Sequence, residues 1–140
     1  MPHDPTRRSL LLIGAVLASP SLLLAAAKPP RTSFQDVEWQ VATIGGTPVI
    51  DGSEVTILFE KGGGFGGRAC NRFSGSYEVD RDKIRLGPAA TTRMACAQPL
   101  MVQESALFDA LEKVASWRVG EDGSFTLADK DGAALLVARQ

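Results

Sequence analysis

Between Glu38 and Ile44 the chain alternates, with Trp39, Val41 and Thr43 on one side and Gly45-Gly46 closing the run. A period of two is the pattern of a half-buried strand. Val55–Glu60, rich in β-branched and apolar residues, predicts a second strand, and Arg72–Val79, carrying Phe73 and Tyr77, a third. A tight turn at Asp80-Arg81-Asp82 leads to a further strand at Lys83–Leu86. Near the C-terminus, Ser116–Val119, Ser124–Ala128 and Ala134–Ala138 are separated by turns at Glu121-Asp122-Gly123 and Asp129-Lys130-Asp131-Gly132. That spacing predicts a succession of hairpins.

Only between Gln98 and Val114 does the period lengthen to that of a helix. Leu100, Met101, Leu107, Phe108, Leu111 and Val114 fall on one stripe, while Gln103, Asp109, Glu112 and Lys113 lie off it. Pro99 suits the first turn, where its missing N–H has no partner to lose. The mature chain therefore reads as short strands with one amphipathic helix and no internal repeat.

The first 27 residues follow a different plan. Thr6-Arg7-Arg8-Ser9 precedes an apolar stretch from Leu10 that ends in Ala25-Ala26-Ala27. Charged start, apolar middle and small-residue end are the parts of a secretory signal peptide. The paired arginines stand where a twin-arginine export signal has them, although Leu10 occupies the place where Phe is commonest. The rival, an uncleaved anchor, is disfavoured by Pro20 and the closing alanines, since a spanning helix needs about 20 predominantly apolar residues. No cysteine follows to carry a lipid. Residues 28–36 read as a linker, flexible and proline-bearing at its start, and residues 37–140 as a single domain, periplasmic or secreted.

Charge favours no class of partner. Of 140 residues, 15 are basic and 16 acidic, and loss of the leader removes Arg7, Arg8 and Asp4, leaving a small acidic excess. There is no basic surplus to attract nucleic acid. The single histidine is His3, inside the leader, so residues 28–140 hold no histidine base, nucleophile pair or metal ligand. The expectation is a non-enzyme with no cofactor and no metal site.

The letters of a dinucleotide-binding turn, G-x-G-x-x-G, run from Gly62 to Gly67. A Rossmann turn needs a helix directly after it to hold the pyrophosphate, and here Arg68-Ala69-Cys70-Asn71-Arg72 follows, which is turn-like and then strand-like. A Walker loop would need Lys and Ser or Thr where Arg68 and Ala69 stand. The glycines instead read as a mobile connection between strands. Asp129-x-Asp131-Gly132 resembles the start of a calcium loop, but Ala133, Leu135 and Val137 fill the later ligand positions, and a hairpin turn is the better reading.

Cys70 and Cys96 are the only cysteines. In an oxidising compartment an even, minimal count points to one bridge, for which chain-entropy arithmetic gives about 3.5 kcal/mol. A catalytic thiol and half a metal site are the rival readings, and neither has accompanying ligands.

Trp39, the stretch Ala69-Cys70-Asn71-Arg72-Phe73-Ser74-Gly75-Ser76-Tyr77, the stretch Thr92-Arg93-Met94-Ala95-Cys96, then Glu104, Leu107, Phe108 and Leu111, and finally Leu127 with Asp131-Gly132, together resemble the META domain (HslJ-like) family. The resemblance runs from about Val37 to Ala138. Ala69 departs from it, since glycine commonly precedes the cysteine. It implies a mainly β (α+β) fold, a curved antiparallel sheet or partial barrel of short strands with one amphipathic helix packed across it. It also implies export, a link to heat and envelope stress, and no established catalysis.

Within that frame Asn71 is expected to hold a turn by bonding nearby backbone, and Trp39 and Trp117 to pack in the core or at its rim. Arg72, Arg93 and Phe65 are the candidate partner surface, directed at an envelope protein or cell-wall component. Two alternatives stand beside this binding-module reading. One is an inhibitor that inserts the Gly62–Gly67 loop into a hydrolase. The other is a thiol-redox protein using Cys70 and Cys96, which lie much farther apart than the usual C-x-x-C.

Overall fold

Strand follows strand along nearly all of the computed structural model, which describes Gly14 and residues 33–140. The leader and the first part of the linker lie outside the described residues. In order the elements are β1 (Glu38–Ile44), β2 (Thr47–Pro48), β3 (Thr56–Phe59), β4 (Gly64–Arg68), β5 (Arg72–Asp80), β6 (Lys83–Leu86), β7 (Ala90–Thr91), α1 (Gln98–Glu112), β8 (Ser116–Val119), β9 (Phe125–Ala128) and β10 (Ala134–Arg139).

Eight of the strands pair in the order β1-β3-β4-β5-β6-β8-β9-β10, and β10 returns to pair with β1, so the sheet closes into an antiparallel barrel. Closure removes the exposed edges that an open sheet of this width presents. The short β2 folds back on β1, and β7 extends the far edge of β5. An eight-stranded barrel leaves an interior just wide enough for side chains to fill. The alternation read in β1 holds for Trp39 and Val41, both buried; Ile57 and Phe59 of β3, Phe73 and Tyr77 of β5, and Leu136 and Ala138 of β10 do the same.

Aromatic rings occupy much of that interior. Phe34 stacks on Phe125 at 5.3 Å between centroids and lies 4.4 Å from Trp117, and the Trp39 indole N–H donates to the Phe34 carbonyl at 2.9 Å. Phe34 falls in the stretch read as a linker, yet it is buried, so packing begins ahead of Val37.

The helix packs through its second half. Leu107, Ala110 and Leu111 are buried, whereas Met101 is 44% and Val102 59% exposed. Met101 thus leaves the expected apolar stripe, and Gln103, expected to face solvent, turns inward. Its Oε1 accepts from the Ile50 N–H at 2.7 Å and its Nε2 donates to Ser53 Oγ at 3.1 Å. The first turns are less closely packed, leaving a pocket of about 310 Å³ between Pro99 and Val102 on the helix and Ile44, Pro48 and Ile50 on the facing segment.

The glycine segment is the main correction. Gly64–Arg68 is not a mobile connection but β4, paired with β3 on one side and β5 on the other. Only the turn at Lys61-Gly62-Gly63 connects the strands, with Gly63 at φ +94°. The glycines serve close packing: a Cβ on Gly67 would run into the Thr56 carbonyl and come within 2.7 Å of the Phe73 ring. The Asp-rich segment is a hairpin turn as read, with the Asp129 carboxylate accepting from the N–H groups of Asp131 and Ala133.

Two outcomes follow from this packing. Gly67→Ala overpacks the barrel and should lower unfolding stability by about 1–3 kcal/mol, while Gly62→Ala, with open space around it, should stay within about 0.5 kcal/mol; urea titrations of the two variants test the contrast. In the β8–β9 turn the Ser124 hydroxyl and N–H, aided by Arg139, hold the Asp122 carboxyl below its usual range. Its small contribution to stability is therefore present above the unfolded pKa and lost as the pH falls through the folded one. Ser124→Ala should move the Asp122 titration upward in a carboxyl-carbon NMR experiment.

Candidate functional site

Ala69, Cys70 and Asn71 make the three-residue turn between β4 and β5, closed by the Ala69 N–H donating to the Asn71 carbonyl at 2.8 Å. Cys70 is bonded to Cys96 across 26 residues, with Cα atoms 6.2 Å apart, a separation usual for a disulfide. Cys96 stands just ahead of α1, so the bridge joins this turn to the start of the helix.

Beside the bridge, Asn71 is 6% exposed and fully engaged. Its backbone N–H donates to Glu104 Oε2 at 2.6 Å and its Nδ2 to Glu104 Oε1 at 2.9 Å. In the other direction its Oδ1 accepts from the Met94 N–H at 2.6 Å and from Thr92 Oγ1 at 3.0 Å. Thr92 Oγ1 in turn accepts from the Arg72 N–H at 3.1 Å. The amide orientation follows from chemistry, because a flipped group would set Nδ2 against the Met94 N–H. Only a carboxamide of this length supplies donors to a carboxylate on one side and an acceptor to backbone on the other. Bonds to an ionised carboxylate are also the stronger kind.

Asn71 therefore does more than hold its own turn. It ties three segments distant in sequence: the β4–β5 turn, the loop between β7 and α1, and the first half of the helix. Glu104 is the residue that spacing did not reveal. It entered only with the family resemblance, since nothing local to residue 104 signals contact with residue 71.

The other site residues separate by location. Trp39 is fully buried in the barrel. Arg72, first in β5, and Arg93, in the loop after β7, are exposed. Phe65 is corrected: at 3% exposure it is a core residue, its ring against Phe59 and Phe73, because β4 turns it into the barrel. With Gly64–Gly67 held in the sheet, the inserted inhibitory loop has no structural counterpart.

A groove of about 480 Å³ opens between the β6–β7 segment and α1, with Phe65, Phe108 and Leu111 on its apolar side and Glu112 as its one carboxylate. It holds no nucleophile and base in contact. Among the described residues no group of three or more metal-ligating side chains occurs, and no helix is long and apolar enough to cross a membrane.

The META domain model matches residues 32–140, and the chain belongs to the META domain family. An NMR structure of a protein shares the fold with a TM-score of 0.60 and 25% identity, covering 76% of this chain and 90% of that one. An NMR structure of a protein from Burkholderia xenovorans has a TM-score of 0.60 and 22% identity over 100% of this chain and 99% of that one, a likeness of fold alone. No curated protein matches the chain.

Asn71→Ala leaves the Met94 N–H without an acceptor and Glu104 Oε1 without its donor, while Oε2 keeps the main-chain N–H of residue 71, and should cost about 2–4 kcal/mol in chemical denaturation. Asn71→Asp, nearly the same shape, sets a second carboxylate against Glu104. Its deficit relative to the parent should be largest near neutral pH and narrow on acidification, as a shared proton restores a donor; a deficit constant across pH 4–8 would contradict the network.

Proposed function

We propose that this META domain protein is an exported, non-enzymatic binding module of the bacterial envelope, active under stress by contacting another protein. The observation that carries the reading is the Cys70–Cys96 bridge. It pins the Asn71 turn to the start of α1, so that Arg72 and Arg93 are presented from a rigid support, and such bridges persist in oxidising compartments. The leader-like residues 1–27 and the lack of histidine in residues 28–140 support the same reading. Rigid presentation suits recognition, since less ordering entropy is lost on binding.

The test uses the full chain with a C-terminal tag in a Gram-negative host. After fractionation and labelling with a maleimide–polyethylene glycol reagent, the protein should lie in the periplasm and gain label only after reduction. Protein found in the cytoplasm with free thiols would overturn the export reading. Crosslinking in intact cells under heat stress should then enrich an envelope protein over a tag-only control, and the absence of any enrichment would overturn the binding reading.

A further inference from the structure

The β4–β5 hairpin ends in a pair of like charges. Its register sets Arg68 directly opposite Arg72, and because neighbouring Phe73 is buried in the barrel, both arginines stand on the outer face. Opposed side chains in an antiparallel pair have Cβ atoms about 4.5–5.5 Å apart, and like charges there are destabilising. Glu54 relieves Arg68 through an ion pair at 2.5 Å. Arg72 forms no ion pair among the described residues. A third arginine joins this corner through its neighbour in sequence: Arg93, exposed and likewise without an ion pair among the described residues, follows Thr92, which bonds the Arg72 main chain in both directions.

The outer face beside this corner is shaped to receive something narrow. Ser74, Gly66, Leu58 and Glu38 lie side by side across β5, β4, β3 and β1. They adjoin a trough of about 310 Å³, lined by Arg68 and Arg72 as well as by Glu38. Gly66 adds no side chain, and its strand is paired on both edges, so a ligand cannot join the sheet and must lie across it. A broad anionic surface such as a membrane would bring charge against Glu38, whereas an extended chain turns alternate side chains away from the face and can set a carboxylate on the arginines.

We infer that this trough docks an extended acidic segment of a partner protein, with a carboxylate paired to Arg72 and Arg93 and the main chain crossing Gly66. Guanidinium forks match carboxylates in this way, and the bound anion offsets the repulsion between Arg68 and Arg72. The inference rests on the binding-module reading and names the chemistry of its partner.

Fluorescence anisotropy of the purified protein with fluorescein-labelled deca-glutamate tests it, with deca-lysine and phosphatidylglycerol vesicles as alternative probes. Deca-glutamate should bind, more weakly as salt is raised. Arg72→Glu combined with Arg93→Glu should weaken binding at least about tenfold, while Arg118→Glu, an exposed charge on β8, should change it less than about twofold. Arg72→Glu also gives Arg68 an opposite charge across the hairpin, so its melting temperature should not fall, which shows that lost binding is not lost folding. No binding of deca-glutamate, equal losses at Arg118, or binding to the vesicles alone would overturn the assignment. A partner crosslinked in cells as well by the double variant as by the parent would leave the binding-module reading standing and overturn this face.

Discussion

Phe65 on β4 faces Gly75 on β5, and two positions along the same hairpin Phe73 faces Gly67. These reciprocal pairs express the constraint under which the whole barrel is built. Eight strands enclose room for a limited set of side chains, and rings of this size fit only where the residue across the strand has none. A Cβ on Gly75 would come within 2.7 Å of the Phe65 ring and 2.8 Å of the Pro88 carbonyl. The glycines thus allow the aromatic core, and the aromatic core in turn covers the glycine backbone. Closure through β10 and β1 follows from the same filling, since Trp39, Phe125 and Leu136 reach the shared interior from strands at both ends of the chain.

From that tightly packed hairpin the site is placed without freedom to drift. Its turn carries Cys70 and Asn71, and both reach toward the helix: one by a covalent bond, the other by a pair of hydrogen bonds to Glu104. The two ties complement each other. A disulfide limits the unfolded chain, whereas a satisfied polar network specifies one arrangement of the folded one. Among the described residues every buried side-chain nitrogen and oxygen has a hydrogen-bond partner. On the outer side Arg68 and Arg72 are set against each other, a local cost within an otherwise consistent design. Proteins concentrate such violations where surfaces meet partners.

Much of this was legible from residue pattern. Seven strands and the helix were readable because alternation and the 3.6-residue period are local signals, and the bridge because two cysteines have one pairing available. β4 was not legible, since three of its five residues are glycines and carry no polarity to alternate; the reason for Gly67 is the ring on the adjacent strand. Phe65 was misplaced for the same cause, because a lone aromatic in a glycine run looks like a loop tip until its two pairing partners are known. Phe34 lacked any periodic context, and Gln103 looked solvated because its partners, Ile50 and Ser53, lie some fifty residues away.

The sequence by itself determined the strand-rich class, the single helix, the cysteine pair and the signature residues that mark the family, all of which depend on residue type and near-neighbour spacing. Only the tertiary structure decided that the sheet closes, that the glycine run lies within it, that Asn71 answers to Glu104, and that Arg68 opposes Arg72 on an open face. Each of those depends on register between strands or on contact across long stretches of chain, and a shift of one residue in register would turn every side chain of a strand to the opposite face.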